Sequence, residues 1–179
     1  MKRLVYLLVI FVVIGCKNDD KEIINNSSSK SELEELRLMN NQLKNTNPKD
    51  LKLVYQLGVK VKNTALNLYV RFNKEFTNKE NEFLLQCAAT GSEASKLYKD
   101  AAEYFLKAQR KYPKSENAPI YLHNRARILD NILKDKNNAR LAFEELIELY
   151  PNHQLSKNAQ LYLDNAFGKT DEELLELIQ

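Results

Sequence analysis

The feature that most constrains the fold is an internal repeat. An alanine is followed at the fourth position by an aromatic residue and at the eleventh by a second aromatic, usually with a proline next. This pattern starts at Ala65, Ala101 and Ala139, so that successive copies are 36 and 38 residues apart. Residues 117–124 and 158–165 also resemble each other, sharing Asn-Ala at the start and Tyr-Leu in the middle. A near-constant period of a few tens of residues predicts a stacked array of helices.

The composition supports an all-α domain and gives no indication of nucleic-acid binding. The chain has 179 residues, enough for one domain, with only 4 Gly and 4 Pro. Few turn residues together with many Leu, Lys, Glu and Ala favour helices. Removing Lys2 and Arg3, which lie in a segment expected to be cleaved, from 27 basic residues leaves 25 against 24 acidic ones. The mature chain is therefore nearly neutral, and we expect no nucleic-acid partner.

The N-terminus has the pattern of an export signal. A short basic start is followed by an apolar run from Leu4 to Gly15, which is shorter than the roughly 20 residues that span a bilayer. The run ends in Val-Ile-Gly and then Cys16, and it resembles the lipobox of bacterial lipoproteins. That resemblance implies a signal peptide over 1–15, cleavage after Gly15 and acylation of Cys16. An ordinary signal peptide that ends next to a chance cysteine is the alternative.

The residues after Cys16 bear on where such a lipoprotein would reside. Lys17, rather than Asp, follows the cysteine, which in the lipoprotein family favours the outer membrane. Asp19 and Asp20 resemble an export tag of surface lipoproteins, so the periplasmic face and the cell surface both stay open. Residues 16–30 are rich in Asn, Ser, Asp and Lys and predict a flexible tether between the lipid and the folded domain.

The rest of the chain reads as a series of helices. A capping box at Ser31 predicts an N-terminal helix within 31–46, which is too short to indicate a coiled coil. Asn47 as N-cap and Pro48 predict a second start, followed by one long helix or by two broken near residues 58–63; the repeat favours two. A helix is predicted over 78–90, ended by Gly91, and the next helix, capped by Ser92 or Ser95, runs to Lys111. Further helices are predicted over 118–133 and 137–149, over 154–167 with Gly168 ending it, and after Thr170.

The repeat resembles the tetratricopeptide repeat, a family of helix pairs with small residues where the helices touch. Leu122 and Ala126 match its first helix, and Ala139, Phe143 and Pro151 match its second. The resemblance implies a right-handed α-solenoid over 47–179 that ends in a capping helix. The repeats would cover 48–77, 78–113 and 114–151, with capping helices over 152–179. The long period and the Tyr-Pro closings are similar to envelope members, such as the Tol-Pal-associated periplasmic repeat protein and the lipoprotein of the outer-membrane barrel-assembly machine.

The sequence contains no motif that carries catalysis. It has no histidine or cysteine pair at metal-ligand spacing and no Gly-rich phosphate loop, so we expect no enzyme, no cofactor and no metal. Cys87 is the remaining thiol after Cys16 and lies in an apolar stretch, which predicts a buried residue rather than a reactive one.

One polar set is a candidate for partner binding. His123, Arg127 and Asp130 have the spacing of one helix face, and in the repeat family that face lines a peptide-binding groove. A plain solvated face is the alternative, and Tyr121 and Tyr162 are predicted to pack between repeats. The leading hypothesis is a non-catalytic adaptor, held at the outer membrane by its N-terminal lipid, that binds a protein or peptide. The alternatives are a subunit of outer-membrane assembly or of Tol-Pal coordination, and a surface-exposed accessory lipoprotein. The sequence indicates neither the partner nor the oligomeric state.

Overall fold

The computed structural model describes residues 19–176, and this part of the chain is helical and contains no strand. The helices are α1 (Asp19–Asn45), α2 (Leu51–Phe72), α3 (Asn78–Ala94), α4 (Tyr98–Lys111), α5 (Ala118–Arg127), α6 (Lys136–Leu149), α7 (Gln154–Asn165) and α8 (Asp171–Glu176). A π-helical turn (Ile128–Ile132) follows α5. Each helix from α1 to α7 packs on its neighbours in sequence, which confirms the predicted α-solenoid. None of the helices described is both long enough and apolar enough to cross a membrane.

Neighbouring helices run in opposite directions, so the chain forms helix pairs. Glu32 in the middle of α1 binds Arg71 near the end of α2, at 2.8 Å, and only residues 46–50 connect the two helices, so they are antiparallel. Helices α1, α3, α5 and α7 are the first helices, and α2, α4 and α6 are the second helices. The alanines that define the repeat, Ala65, Ala101 and Ala139, all lie on second helices and are fully buried. Small side chains here allow the close helix packing that the repeat predicts.

The first pair differs from the prediction. Helix α2 is continuous over Leu51–Phe72, so the favoured break near residues 58–63 is wrong. Gly58 instead allows α3 to approach, since a Cβ at this position would lie 2.7 Å from the Cβ of Ala94. Because α2 is one helix carrying Ala65, its partner in the first pair is α1. The predicted first repeat over 48–77 is therefore wrong, and the helix predicted over 31–46 belongs to the array.

Helix α1 is longer than predicted. It begins at Asp19, so residues 19–30 are helical and the predicted tether is wrong over this range. Ser31 consequently lies inside a helix and caps nothing. Leu33 and Leu36 are buried in the same cluster as Ala65, which explains why α1 is held against α2. The predicted signal peptide and Cys16 lie outside the described residues.

Three helix boundaries were assigned to the wrong residue. Helix α2 is capped by Asp50, whose Oδ1 accepts a hydrogen bond from the Leu53 amide at 3.1 Å, rather than by Asn47. Helix α3 does not end at Gly91 but continues to Ala94, and Lys96 takes the left-handed conformation with a φ of 61°. The predicted caps near 92–95 are also wrong, because α4 starts after Leu97 without a side-chain cap.

The C-terminal end of the array is covered by an aromatic cluster. The Phe167 ring packs edge-on against Phe143 and Tyr162, with ring centroids 6.5 and 5.9 Å apart. Gly168 has a φ of 80°, as its predicted role at the end of this segment requires. The capping box that starts α8 is present, but Leu175 of α8 is 57% exposed. Phe167, rather than Leu175, therefore covers this end of the core.

Candidate partner-binding site

The first helices are tied to one another by polar and cation–π contacts along one face. The Arg37 guanidinium of α1 lies over the ring of Phe83 on α3, 4.7 Å from the centroid. Further along α3, Glu93 forms an ion pair with Arg127 at the end of α5. The first contact joins α1 to α3 and the second joins α3 to α5, so side chains bridge successive first helices.

A single carboxylate joins the start of α3 to the start of α5. Glu82 Oε1 accepts hydrogen bonds from the Tyr121 hydroxyl at 2.8 Å, from Asn117 Nδ2 at 3.3 Å and from the Ser115 hydroxyl. Burial, and next the hydrogen bond to Glu82, raise the pKa of Tyr121 far above its ordinary value. Tyr121 also stacks on Phe105 with centroids 6.2 Å apart, which confirms its predicted packing role. This oxygen of Glu82 is therefore used for structure rather than for binding a partner.

Beside this junction lies an open cleft of about 1070 Å³. Its walls are the first half of α3, the loop between α4 and α5, and Arg37 of α1. Phe83 and Gln86 of α3 are half-buried in it, and Lys79 and Lys114 are exposed at its rim. A groove that combines an aromatic ring, an amide and cationic side chains can bind a peptide through apolar contact and hydrogen bonds.

Two of the three acids of the cleft, Glu80 and Glu82, are engaged within the fold. Glu80 accepts a hydrogen bond from the Thr77 hydroxyl at 2.7 Å and another from the Thr77 amide at 2.8 Å. These bonds lower the pKa of Glu80, so the carboxylate stays ionised while it caps α3. Glu116 also lines the cleft and is exposed, so the cationic side chains and this one carboxylate are the charged groups left to meet a ligand.

Two of the predicted groove residues lie at the surface on α5. His123 is half-buried, with its ring 6.4 Å from that of Phe143. Burial is the main reason that the pKa of His123 is lowered. Arg127 is about one-third exposed and is engaged with Glu93, so it stabilises the stack of first helices.

Asp130 does not join them on that face. Its side chain is only 1% exposed, and it accepts hydrogen bonds from Lys136 Nζ and the Tyr162 hydroxyl, each at 2.5 Å. The π-helical turn explains the difference, because its wider winding redirects the residues after Arg127 relative to a regular helix. The prediction of one exposed face for all three residues is therefore wrong for Asp130, which holds α6 and α7 together. Tyr162 packs between helices as predicted.

The comparison with known families agrees with this geometry. Residues 122–153 match the family model for the tetratricopeptide repeat. The chain is TPR-like. The match covers most of the pair α5–α6, and the structure forms the same arrangement in α1–α2 and α3–α4. No curated protein and no solved structure shows significant similarity to the chain. The closer resemblance to Tol-Pal or barrel-assembly proteins stays a prediction.

The cleft of the TPR-like chain was missed at the sequence level, although a pattern for it exists. Lys79, Phe83 and Gln86 have the same spacing along α3 that singled out the candidate residues on α5. A search for that spacing on each first helix would therefore have found these three residues. Arg37 has no such pattern, because its place in the cleft depends on how α1 stacks on α3.

The remaining thiol of the TPR-like chain is structural, as predicted. Cys87 is fully buried, and this burial raises its pKa to about 12, so the nucleophilic thiolate is not populated near neutral pH. Within residues 19–176, no three His, Cys, Asp or Glu side chains are grouped so that they could hold a metal ion.

Proposed function

We propose that this TPR-like chain is a lipid-anchored adaptor of a bacterial envelope that binds a protein or peptide in the cleft between α1, α3 and the α4–α5 loop. The repeats generally mediate contacts between proteins, which fits a non-catalytic scaffold. The observation that carries the proposal is the cleft itself, at about 1070 Å³, with two of its three acids, Glu80 and Glu82, held inside the fold. Its volume lies at the upper end of small-molecule sites and suits a short segment of a polypeptide.

The chemistry of the cleft favours an extended segment that presents an apolar side chain and hydrogen-bond acceptors. Phe83 offers apolar surface under the Arg37 guanidinium, and Gln86 offers an amide to a backbone. Lys79 and Lys114 supply donors at the rim, and neither forms an ion pair with another described residue. The first helices are fixed in place by the Glu82 and Arg127 contacts, so binding would require little reorganisation.

Photo-crosslinking tests the cleft directly. A photo-reactive amino acid at Gln86 should trap a discrete partner in living cells, because this side chain lies in the cleft. The matched control carries the same amino acid at Leu141, which is 60% exposed on the second helix α6. A product at Gln86 but not at Leu141 is expected. Equal products at both positions, or none at Gln86, would refute the cleft as the binding site. Identification of the trapped protein separates barrel assembly from Tol-Pal coordination.

The envelope location rests on the sequence around Cys16 and has its own test. Changing Cys16→Ala should abolish labelling with a radioactive fatty acid and release the mature protein from membranes. Persistent labelling would show that the lipid is attached elsewhere. Protease treatment of intact cells then separates the two faces of the outer membrane, because surface display predicts cleavage and periplasmic display predicts protection.

A further inference from the structure

Four cationic side chains form a patch at the end of α4 that extends beyond the partner cleft, which only Lys111 and Lys114 of the four line. This basic cluster consists of Lys107, Arg110, Lys111 and Lys114, which are all exposed. Within the part of the chain that the structure describes, none of the four forms an ion pair. Unpaired like charges repel one another, so the cluster gains free energy when an anionic surface approaches it.

Two of these cations converge on one aromatic ring. The Nζ atoms of Lys107 and Lys111 each lie 5.0 Å from the centroid of Tyr69 on α2. Lys111 Nζ also donates a hydrogen bond to the Tyr69 hydroxyl at 2.6 Å. The ring therefore holds two ammonium groups together at the surface. The two lysine side chains consequently lose less conformational entropy when an anion binds them.

The acids nearby do not neutralise this surface. Lys111 also lines the cleft, where Lys79 adds a further cation. Four carboxylates line this region, Glu80, Glu82, Glu103 and Glu116, against six cations, which are Arg37, Lys79 and the four of the basic cluster. Positive charge is therefore in excess at this end of the array.

The direction of the helices places the cluster on the side of the array from which the N-terminal segment departs. Glu32 of α1 meets Arg71 near the end of α2, and Tyr69, also near that end, meets Lys111 at the end of α4. The first helices therefore begin, and the second helices end, at one edge. Helix α1 extends past this edge to its first residue, Asp19.

The dimensions allow the cluster and the lipid anchor to reach one plane. Helix α1 starts 13 residues before Glu32, so it extends about 20 Å beyond the contact with Arg71 at 1.5 Å per residue. Helix α4 is offset sideways from α1 by a similar distance, since packed helices lie roughly 8–10 Å apart. An array that leans with α1 oblique to the membrane therefore brings the end of α4 to the surface that holds the anchor.

We propose that the basic cluster docks on the anionic phospholipid headgroups of the membrane in which the lipid at Cys16 is inserted. The inference rests on the proposed anchoring and adds an orientation to it. Clusters of four or more Lys and Arg beside a membrane attachment bind anionic lipid, and the anchor raises the local concentration of headgroups at this edge. That proximity favours lipid over an acidic protein, which would have to be recruited from solution.

The test uses the mature lipidated protein, extracted in detergent and reconstituted into vesicles. One set of vesicles contains phosphatidylcholine alone, and the other also contains phosphatidylglycerol. Acetylation of individual lysines is followed by peptide mass spectrometry, with Lys52 and Lys99 at the opposite edge as internal controls. Lys107, Lys111 and Lys114 should react several-fold more slowly on the anionic vesicles only. High salt should remove this protection, because it screens the headgroups.

A matched pair of variants checks that the charges carry the effect. K107Q/K111Q should abolish the protection of Lys114, since each cation near an anionic surface contributes about fivefold in binding. K52Q/K99Q removes the same charge from the opposite edge and should leave that protection intact. Circular dichroism of each variant checks that the helices are retained. Equal acetylation on both vesicles, or protection that persists in K107Q/K111Q, would overturn the proposal.

The same measurements separate docking from anchoring. The mass of the N-terminal peptide reports acylation of Cys16. An acylated protein whose lysines react equally on both vesicles refutes docking alone. If the protein carries no acyl group and binds neither vesicle, both the anchor and the docking are refuted. If it carries no acyl group but binds anionic vesicles through these lysines, the anchor alone is refuted. Protection that requires addition of the crosslinked partner would assign the cluster to that protein instead.

Discussion

Two glycines set the close approach of α2 and α3. A Cβ at Gly91 would lie 2.6 Å from the Lys62 amide nitrogen and 2.7 Å from the Gly58 carbonyl oxygen. Both obstacles are backbone atoms, so they cannot rotate away as a side chain could. The sequence led us to treat Gly91 as a helix terminator, because glycine commonly has that role. Its real role depends on a residue 33 positions earlier, which local pattern does not reveal.

Gly91→Ala should therefore destabilise the protein although alanine favours helices. We expect a net loss of about 1–3 kcal/mol in the free energy of unfolding, as overpacking forces the two helices apart. Urea denaturation followed by circular dichroism measures it. Combining Gly91→Ala with Gly58→Ala should cost less than the sum of the two changes, because either one separates the same helices. A stability gain of about 1 kcal/mol, the helix-propensity effect alone, would contradict the close contact.

His123 should make stability depend on pH in the mildly acidic range. Its folded-state pKa lies below the ordinary 6.5, mainly because burial disfavours the charged ring. The unfolded chain therefore binds the proton more tightly, so the free energy of unfolding is at its full value above 6.5 and falls as the pH drops. His123→Gln should flatten this fall. Urea titrations of both proteins at several pH values measure the difference, and His153 is common to both. Parallel pH profiles would show that burial does not perturb His123.

At the scale of the helices, the caps decide the boundaries. Thr77 and Glu80 form a reciprocal capping box at the start of α3, with the Glu80 amide donating to the Thr77 hydroxyl at 3.2 Å. Ser31 and Glu34 have the same sequence pattern but lie inside α1. The sequence pattern of a capping box therefore does not ensure that a helix starts there. Helix α1 extends past Ser31, and the packing of Leu33 and Leu36 stabilises it more than a cap at Ser31 would.

Alanine substitution should separate the real cap from the apparent one. Thr77→Ala removes an N-cap hydroxyl and should cost about 1 kcal/mol of unfolding free energy. Ser31→Ala, at an exposed position in the middle of a helix, should be neutral or stabilising by about 0.5 kcal/mol, because alanine is the better helix former. Parallel urea denaturation compares them. If Ser31→Ala were as harmful as Thr77→Ala, helix α1 would start near Ser31 in solution.

The periodicity of the sequence predicted which segments are helical. It gave the wrong helix limits where contacts between residues distant in sequence determine them. The α4 and α6 ends before Tyr112 and Tyr150 were correct, because proline after each aromatic stops a helix locally. The extent of α1 and the continuity of α2 depend on contacts between them, such as the pair Glu32 and Arg71. The π-helical turn left no mark in the spacing, and it moved Asp130 from the predicted face into the interior.

At the scale of the whole molecule, the candidate site is a product of stacking. Arg37, Phe83 and Lys114 come from three different elements, and only the order of the pairs brings them to one cleft. The sequence predicted a surface formed by first helices and named residues of α5, and the cleft that we propose lies one pair earlier in the chain. The three hydrophobic clusters of the described residues follow one another along the array. Each is held mainly by adjacent helices, so stability should be partly local.

Hydrogen exchange should reveal that locality at the C-terminal end. Phe167 packs on Phe143 and Tyr162, and its ring lies 4.6 Å from the Arg140 guanidinium and 5.2 Å from Lys136 Nζ. Because these contacts attach the end of α7 to α6, Phe167→Ala should lower the local opening free energy of α7 by about 1–3 kcal/mol. Amide exchange in α7 should then accelerate, while exchange in α2 and α3 stays unchanged.

The matched change at the opposite end is Phe76→Ala, which opens the cluster formed by α1, α2 and α3. It should accelerate exchange in those helices and leave α7 unaffected, since no contact links Phe76 to the Phe167 cluster within residues 28–170. Mass spectrometry of peptides after timed deuteration resolves the two ends. If either variant accelerated exchange equally from α1 to α7, the helices would open as one cooperative unit. The cleft, which spans α1 to the start of α5, would then be sensitive to every core substitution, and not only to those in the first two pairs.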